Sequence, residues 1–288
     1  MSQKSYGCFK VCLSDALEAE SGIREIVGPE TPGTGLRYLR FGLVNLIEGE
    51  RRDLAFEPDE AVLVVLGGKA DVIWGEGAHS QRIGERDNVF EGPAWAVYSP
   101  PGVSLALRGA SRSTEIAVIR ARPVEETTGG RADGGRQVEI VSPDMVKIRP
   151  VGTGNWYRLV HDIVVQEDQP QATRLIVGET FNPQGNWSSY PPHKHDEEVE
   201  GLEGVLEEVY HFRVKPSRGF GFQRIYSPSR GVDEAYVIRD GDTVAIPFGY
   251  HPVAAAPRYE VYYLWALAGE KRFMSPREDD AHAWVKNA

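Results

Sequence analysis

Apolar residues along this chain of 288 come in short runs broken by turn residues, and rarely at helical spacing. AVLVVLG, ADVIWG, WAVYSP, SLALRG and TEIAVIRA lie before the midpoint; RLIVGET, VYHFRV, FGFQRIYS, EAYVIRDG, DTVAIPFG and YEVYYLWALAG lie after it. The runs are rich in Val, Ile, Tyr and Trp, and clusters such as GGK, SPPG and RDGDT separate them at the spacing of antiparallel sheet. Between the two groups, EETTGGRADGGRQ at 125–137 has four glycines and mixed charge without apolar periodicity, which predicts a linker.

The two groups share a layout. DNVFEGPAWAVYSPPGVSLAL and GDTVAIPFGYHPVAAAP both read as a strand, a P-x-G type turn and another strand. The pattern predicts an all-β protein of two β-barrels or sandwiches in tandem, residues 1–130 and 131–288. Their chemistry differs: the first holds only His79, whereas the second holds His161, His193, His195, His211, His251 and His282.

Composition narrows the partners. A formal charge of −10 repels nucleic acid and anionic membrane surfaces, so the expected ligand is a small molecule. No apolar run approaches the roughly 18 residues of a membrane span, and MSQKSYGCFKVCL lacks signal-peptide character, so a cytoplasmic protein is expected. Cys8 and Cys12 have neither CxxC nor zinc-site spacing and read as buried or incidental thiols. Phosphate-cradling glycine motifs are absent, GFGF at 219–222 being a weak signal only.

The stretch NWSSYPPHKHDE at 186–197 carries the chemistry. On an extended strand, side chains two apart share a face, so His193 and His195 can reach one point. A lone HxH is more often a surface or structural pair than a ligand pair, so further donors are needed. In LEEVYHFRV, alternation puts Glu208, Tyr210 and Phe212 on one face and Glu207, His211 and Arg213 on the other. His251 follows a glycine turn and leads into an apolar strand. Together His193, His195, Glu208 and His251 make a shell of three nitrogens and one oxygen for a divalent metal, with zinc, manganese, iron, nickel and cobalt all accepted. Glu200, Glu203 and Glu207 stay open as alternatives to Glu208. Lys194, opposite its histidine neighbours, reads as an ion-pair residue; His161 and His211 read as non-ligands.

GNWSSYPPHKHD, LEEVYHFRV, GFGFQRIYS, DGDTVAIPFGYHPV and YYLWALAG resemble the 5-deoxy-glucuronate isomerases of myo-inositol catabolism, a bicupin family of the cupin superfamily. The resemblance is specific over about residues 150–270 and looser over RDNVFEGPAWAVYSPPG. It implies two cupin-type, jelly-roll-like barrels with the metal in the second. It also implies conversion of 5-deoxy-D-glucuronate to 5-dehydro-2-deoxy-D-gluconate. Twelve residues separate His195 from Glu208, more than in the general cupin pattern, and the family resembled carries an insert there. The uronate carboxylate needs a cation, for which Arg224 is the candidate because Phe222, Arg224 and Tyr226 alternate onto one face. Glu208, Arg224 and Tyr226 are thus the catalytic candidates, with a carboxylate, a tyrosinate or a hydroxide left open as the base. Rival readings are the uronate ketol-isomerase of pectin breakdown, a non-catalytic sugar-binding bicupin and a cupin dioxygenase. Oligomeric state stays open, with a homo-oligomer allowed.

Overall fold

The computed structural model describes residues 9–11, 17–18, 22–123, 137–165 and 172–287. Cys8, Cys12 and nearly all of the expected linker lie outside them. The described residues contain no α-helix, only strands and short 3-10 turns, and no helix long and apolar enough to cross a membrane.

Every sheet is antiparallel, and four of them stack in layers. In the first half, Glu60–Gly67 lies near the centre of a seven-stranded sheet, between Ala96–Ser99 and Thr114–Ala121. Across from it lies a four-stranded sheet of Arg51–Leu54, Leu105–Gly109, Ala70–Trp74 and His79–Ile83. In the second half, Leu206–Lys215 takes the same place, between Thr243–Ile246 and Glu260–Gly269. Its facing four-stranded sheet comprises Trp187–Ser188, Val253–Ala255, Gly221–Ser227 and Val232–Ile238. One apolar cluster fills each sandwich, including Leu63, Val65 and Leu107 in the first and Phe212, Ile225 and Leu267 in the second. A third, with Phe41, Val64, Ile119, Val177, Val209 and Leu264, lies between the two seven-stranded sheets. The order is therefore four, seven, seven, four strands.

This stacking buries both faces of the inner strands. EAVLVVLG at Glu60–Gly67 meets the condition with apolar residues. Leu206–Lys215 is also buried over most of its length, yet it carries Glu207, Glu208, Tyr210 and His211. Each needs a polar partner to offset the loss of water.

Two strands cross the expected division at residue 130. Glu139–Val141 pairs with Ala96–Ser99 in the first half, and Lys10–Val11 pairs with Thr243–Ile246 in the second. Buried carboxylates tie the halves in both directions. Glu207 accepts the backbone N–H groups of Arg37, Tyr38 and Leu39, each at 2.7 Å. Glu60 accepts those of Thr173, Arg174 and Leu175 at 2.8, 2.8 and 3.0 Å. Between them, Arg86 of the first half meets Glu179 of the second at 2.5 Å, and the Tyr262 hydroxyl donates to Glu179 at 2.7 Å. Burial pushes the Glu179 carboxyl up, but the Arg86 charge, together with the neighbouring His161 ring and hydrogen bonds from Arg86 and Tyr262, holds the group below the ordinary range.

Candidate metal centre and its pocket

Glu208 points into the second sandwich because Glu207, its neighbour on the strand, points to the other half. His195 lies at the end of the HxH loop, whose return is fixed by the Leu206 N–H bonding the His195 carbonyl at 2.8 Å. His251 follows Gly249, whose φ of +88° and close approach to the Tyr226 carbonyl exclude a side chain. Asp196 joins the two loops by accepting the Gly249 N–H at 3.1 Å.

The ligand atoms of His195, Glu208 and His251 all lie within 4.8 Å of one another, and all three residues are buried. His195 Nδ1 donates to the Leu206 carbonyl at 2.7 Å, and His251 Nδ1 donates to the Gly249 carbonyl at 2.8 Å. In the neutral rings both Nε2 atoms then carry lone pairs, and each lies 3.2 Å from Glu208 Oε2. Three acceptors converging without a donor call for a cation, and the Nδ1 bonds are the outer contacts that orient metal-ligating imidazoles. The donor set thus fits a divalent ion. Burial would push the Glu208 carboxyl up; positive charge on the His195 and His251 rings, which a divalent ion would supply in their place, brings it down to about 2. His193 is half-buried at the rim, its ring 4.7 Å from that of His251 and 6.4 Å from that of His195, outside the close triad.

The other glutamates of the insert are engaged elsewhere. Glu203 binds Lys194 at 2.9 Å, Glu207 caps residues 37–39, and Glu200 is exposed. Lys194 also binds Asp196 at 2.7 Å, the ion-pair role expected of it. His211 faces the interface between halves, against Phe41 and Thr243, and His161 lies beside Phe181, both away from the triad.

Arg224 and Tyr226 require correction. Gly221, Gln223 and Ile225 face inward, so Phe222 and Arg224 emerge on the outer side, 47% exposed in the case of Phe222. Arg224 forms a two-pronged pair with Asp233 at 2.7 and 2.8 Å and lies over the Tyr226 ring at 4.1 Å. The Tyr226 hydroxyl donates to Asp279 at 2.6 Å. Neither residue lines the cavity beside the triad.

That cavity, about 240 Å³, is walled instead by Arg149, Arg158, Thr180, Ser189, Tyr210, Tyr263 and Glu278 around His193, His195 and Glu208. Glu278 arrives on a late strand, Arg277–Glu278, paired with His193–Lys194. Ser189 lies 3.0 Å from the Tyr210 hydroxyl, and Ser188 bonds Tyr263. Burial pushes both tyrosine hydroxyls above their ordinary range, so they stay protonated. Tyr210 was within reach of the sequence, on the Glu208 face of LEEVYHFRV; Arg158, Tyr263 and Glu278 had no local signal.

A family model described as the KduI/IolB family matches residues 13–285. The chain belongs to the KduI/IolB family. The 5-deoxy-glucuronate isomerase of Geobacillus kaustophilus is 39% identical over 265 residues, covering 90% of this chain and 89% of that protein. The same-named protein of Bacillus subtilis strain 168 is 31% identical over 269 residues, covering 93% and 95%. Among solved structures, an IolB-like protein from Salmonella typhimurium LT2 superposes with a TM-score of 0.83 at 34% identity, covering 96% of this chain and 98% of that one. Oxalate decarboxylase of Lactobacillus farciminis superposes at 0.65 with 13% identity, covering 97% and 90%, a likeness of fold alone. The all-β, cupin-type architecture and the isomerase family resemblance both hold.

Proposed function

We propose that this KduI/IolB family member is a divalent-metal-dependent aldose–ketose isomerase acting on 5-deoxy-D-glucuronate. The observation that carries the reading is the convergence of His195, His251 and Glu208, with His193 at the rim, in a chain 39% identical to a 5-deoxy-glucuronate isomerase.

The reaction removes the proton at C2 of the aldehyde form, passes through an enediol and returns a proton to C1, giving 5-dehydro-2-deoxy-D-gluconate. A bound divalent ion would supply Lewis-acid stabilisation of the negative charge that develops on the C1 and C2 oxygens. The chain's own residues hold that ion and orient the sugar. The Leu206 and Gly249 carbonyls keep the Nε2 lone pairs of His195 and His251 turned inward. Tyr210 and Tyr263, protonated, act as hydrogen-bond donors in the wall rather than as bases. Glu278 is the one wall carboxylate besides Glu208 among the described residues, and it is assigned the proton transfer.

Purified protein should convert 5-deoxy-D-glucuronate, lose that turnover in chelator and regain it with added divalent metal. Full turnover by metal-free protein would overturn the reading. The pectin-derived uronate, offered in the same assay, should be turned over more slowly. Glu278→Gln should lower kcat by about 10²-fold or more with metal content unchanged.

A further inference from the structure

We propose that Arg158 is the residue that receives the substrate's carboxylate and so sets the enzyme's preference for a sugar acid over a neutral sugar. The inference rests on the isomerase reading of the pocket and adds to it where the far end of the substrate is held.

Apart from Glu208 in the triad, the charges around the cavity are matched, with one exception. Arg149 gives both arms of its fork to Asp162, at 2.6 and 2.9 Å. Glu278 is held by Lys286 at 2.6 Å. Arg158 is 9% exposed, lines the cavity, and has no ion-pair partner among the described residues. Its Nη1 donates to the carbonyls of Tyr190 at 2.9 Å and Trp156 at 3.2 Å, neutral acceptors that fix its position without cancelling its charge. A buried guanidinium left without an anion is costly, and its forked N–H groups suit a carboxylate. An acidic protein has little general attraction for a uronate, so a cation inside the pocket is the selective element. Arg158 borders the same 240 Å³ space as His195 and Glu208, two members of the triad, so that space can place the C1–C2 end of a six-carbon acid at the triad and its carboxylate at the guanidinium.

The alternative is a brace, with Arg158 serving only to tie the Tyr190 loop to its strand. The two roles separate when turnover of the uronate is compared with that of the 5-deoxy-hexose bearing a primary alcohol in place of the carboxylate. Arg158→Gln should reduce the kcat/KM preference for the acid by about 10- to 100-fold, mostly through KM, with neutral-sugar turnover and metal content near wild type. An equal loss on both sugars, or an unchanged preference, would overturn the assignment. Should Arg158→Gln fail to fold, Arg158→Lys, which keeps a donor for Tyr190, decides: a preference lowered about fivefold or more supports the role, and an unchanged one refutes it. If wild-type protein turns over neither sugar, the isomerase reading has failed on its own. Calorimetric binding of the uronate then tests Arg158 alone: affinity about tenfold weaker in Arg158→Gln supports the anion site, and equal affinity overturns it.

Discussion

The two halves of the molecule are built alike and filled differently. In the first, Ala61 pairs with Ser99, just before Pro100 and the turn that reaches Gly102. In the second, Glu208 pairs with Ile246, just before Pro247 and the turn that reaches Gly249. By this register Ala61 occupies the place of Glu208, Leu63 that of Tyr210, and Ser104 that of His251. The preceding residues, Glu60 and Glu207, keep one task, each capping three backbone N–H groups of the opposite half. What joins the halves is therefore common to both, and what could hold a metal is present in one. The first sandwich closes on Leu63, Val65 and Leu107, where the second opens into a cavity that carries the charged and hydroxyl groups of Arg158, Tyr210, Tyr263 and Glu278. The difference separates two tasks of the scaffold: the same two-sheet sandwich is built with or without the site, and the carboxylates that tie the halves together occur in both.

Glu208→Ala makes the second half resemble the first at the decisive position. It should lower kcat/KM by about 10³-fold or more and reduce bound metal, measured by elemental analysis, with the β circular dichroism kept. Retained metal would break the comparison. Arg86→Met probes the join instead. It leaves Glu179 buried and uncompensated, for a loss of about 3–5 kcal/mol in denaturant unfolding. Glu60→Gln and Glu207→Gln sharpen the symmetry: each should cost about 1.5–3 kcal/mol, from weakened charge-assisted bonds, and the two costs should be similar. A large effect at one position only would show that the caps are unequal.

The smallest effect concerns pH. Burial, with Arg213 adding to it, holds His211 well below its ordinary pKa, so the imidazole is neutral in the fold. The unfolded chain binds a proton there below about pH 6.5, and the native state does not until much lower pH. Stability from this group is thus complete above pH 6.5 and declines on acidification. His211→Phe, which keeps a ring against Phe41, should flatten that decline by up to about 1.4 kcal/mol per pH unit. Parallel stability profiles for the two proteins between pH 6.5 and 5 would refute it.

By itself the sequence determined the strand-rich character, the two groups of strands and the clustering of imidazoles in the second. Period-two alternation also separated Glu208 from Glu207, because adjacent side chains on a strand must face opposite ways. Alternation does not say which face is inside. On Gly221–Ser227 it correctly grouped Phe222 with Arg224, yet the layer packed on that strand took Gln223 and Ile225 inward and left Arg224 outside with Asp233. On Leu206–Lys215 both faces are buried, so only long-range partners separate a carboxylate that caps residues 37–39 from one that meets His195 and His251. The cavity's cation was hidden for the same reason. Arg158, Tyr263 and Glu278 are far apart in the chain and meet only when the sheets stack and the late strand Arg277–Glu278 pairs beside His193, contacts that no local pattern encodes.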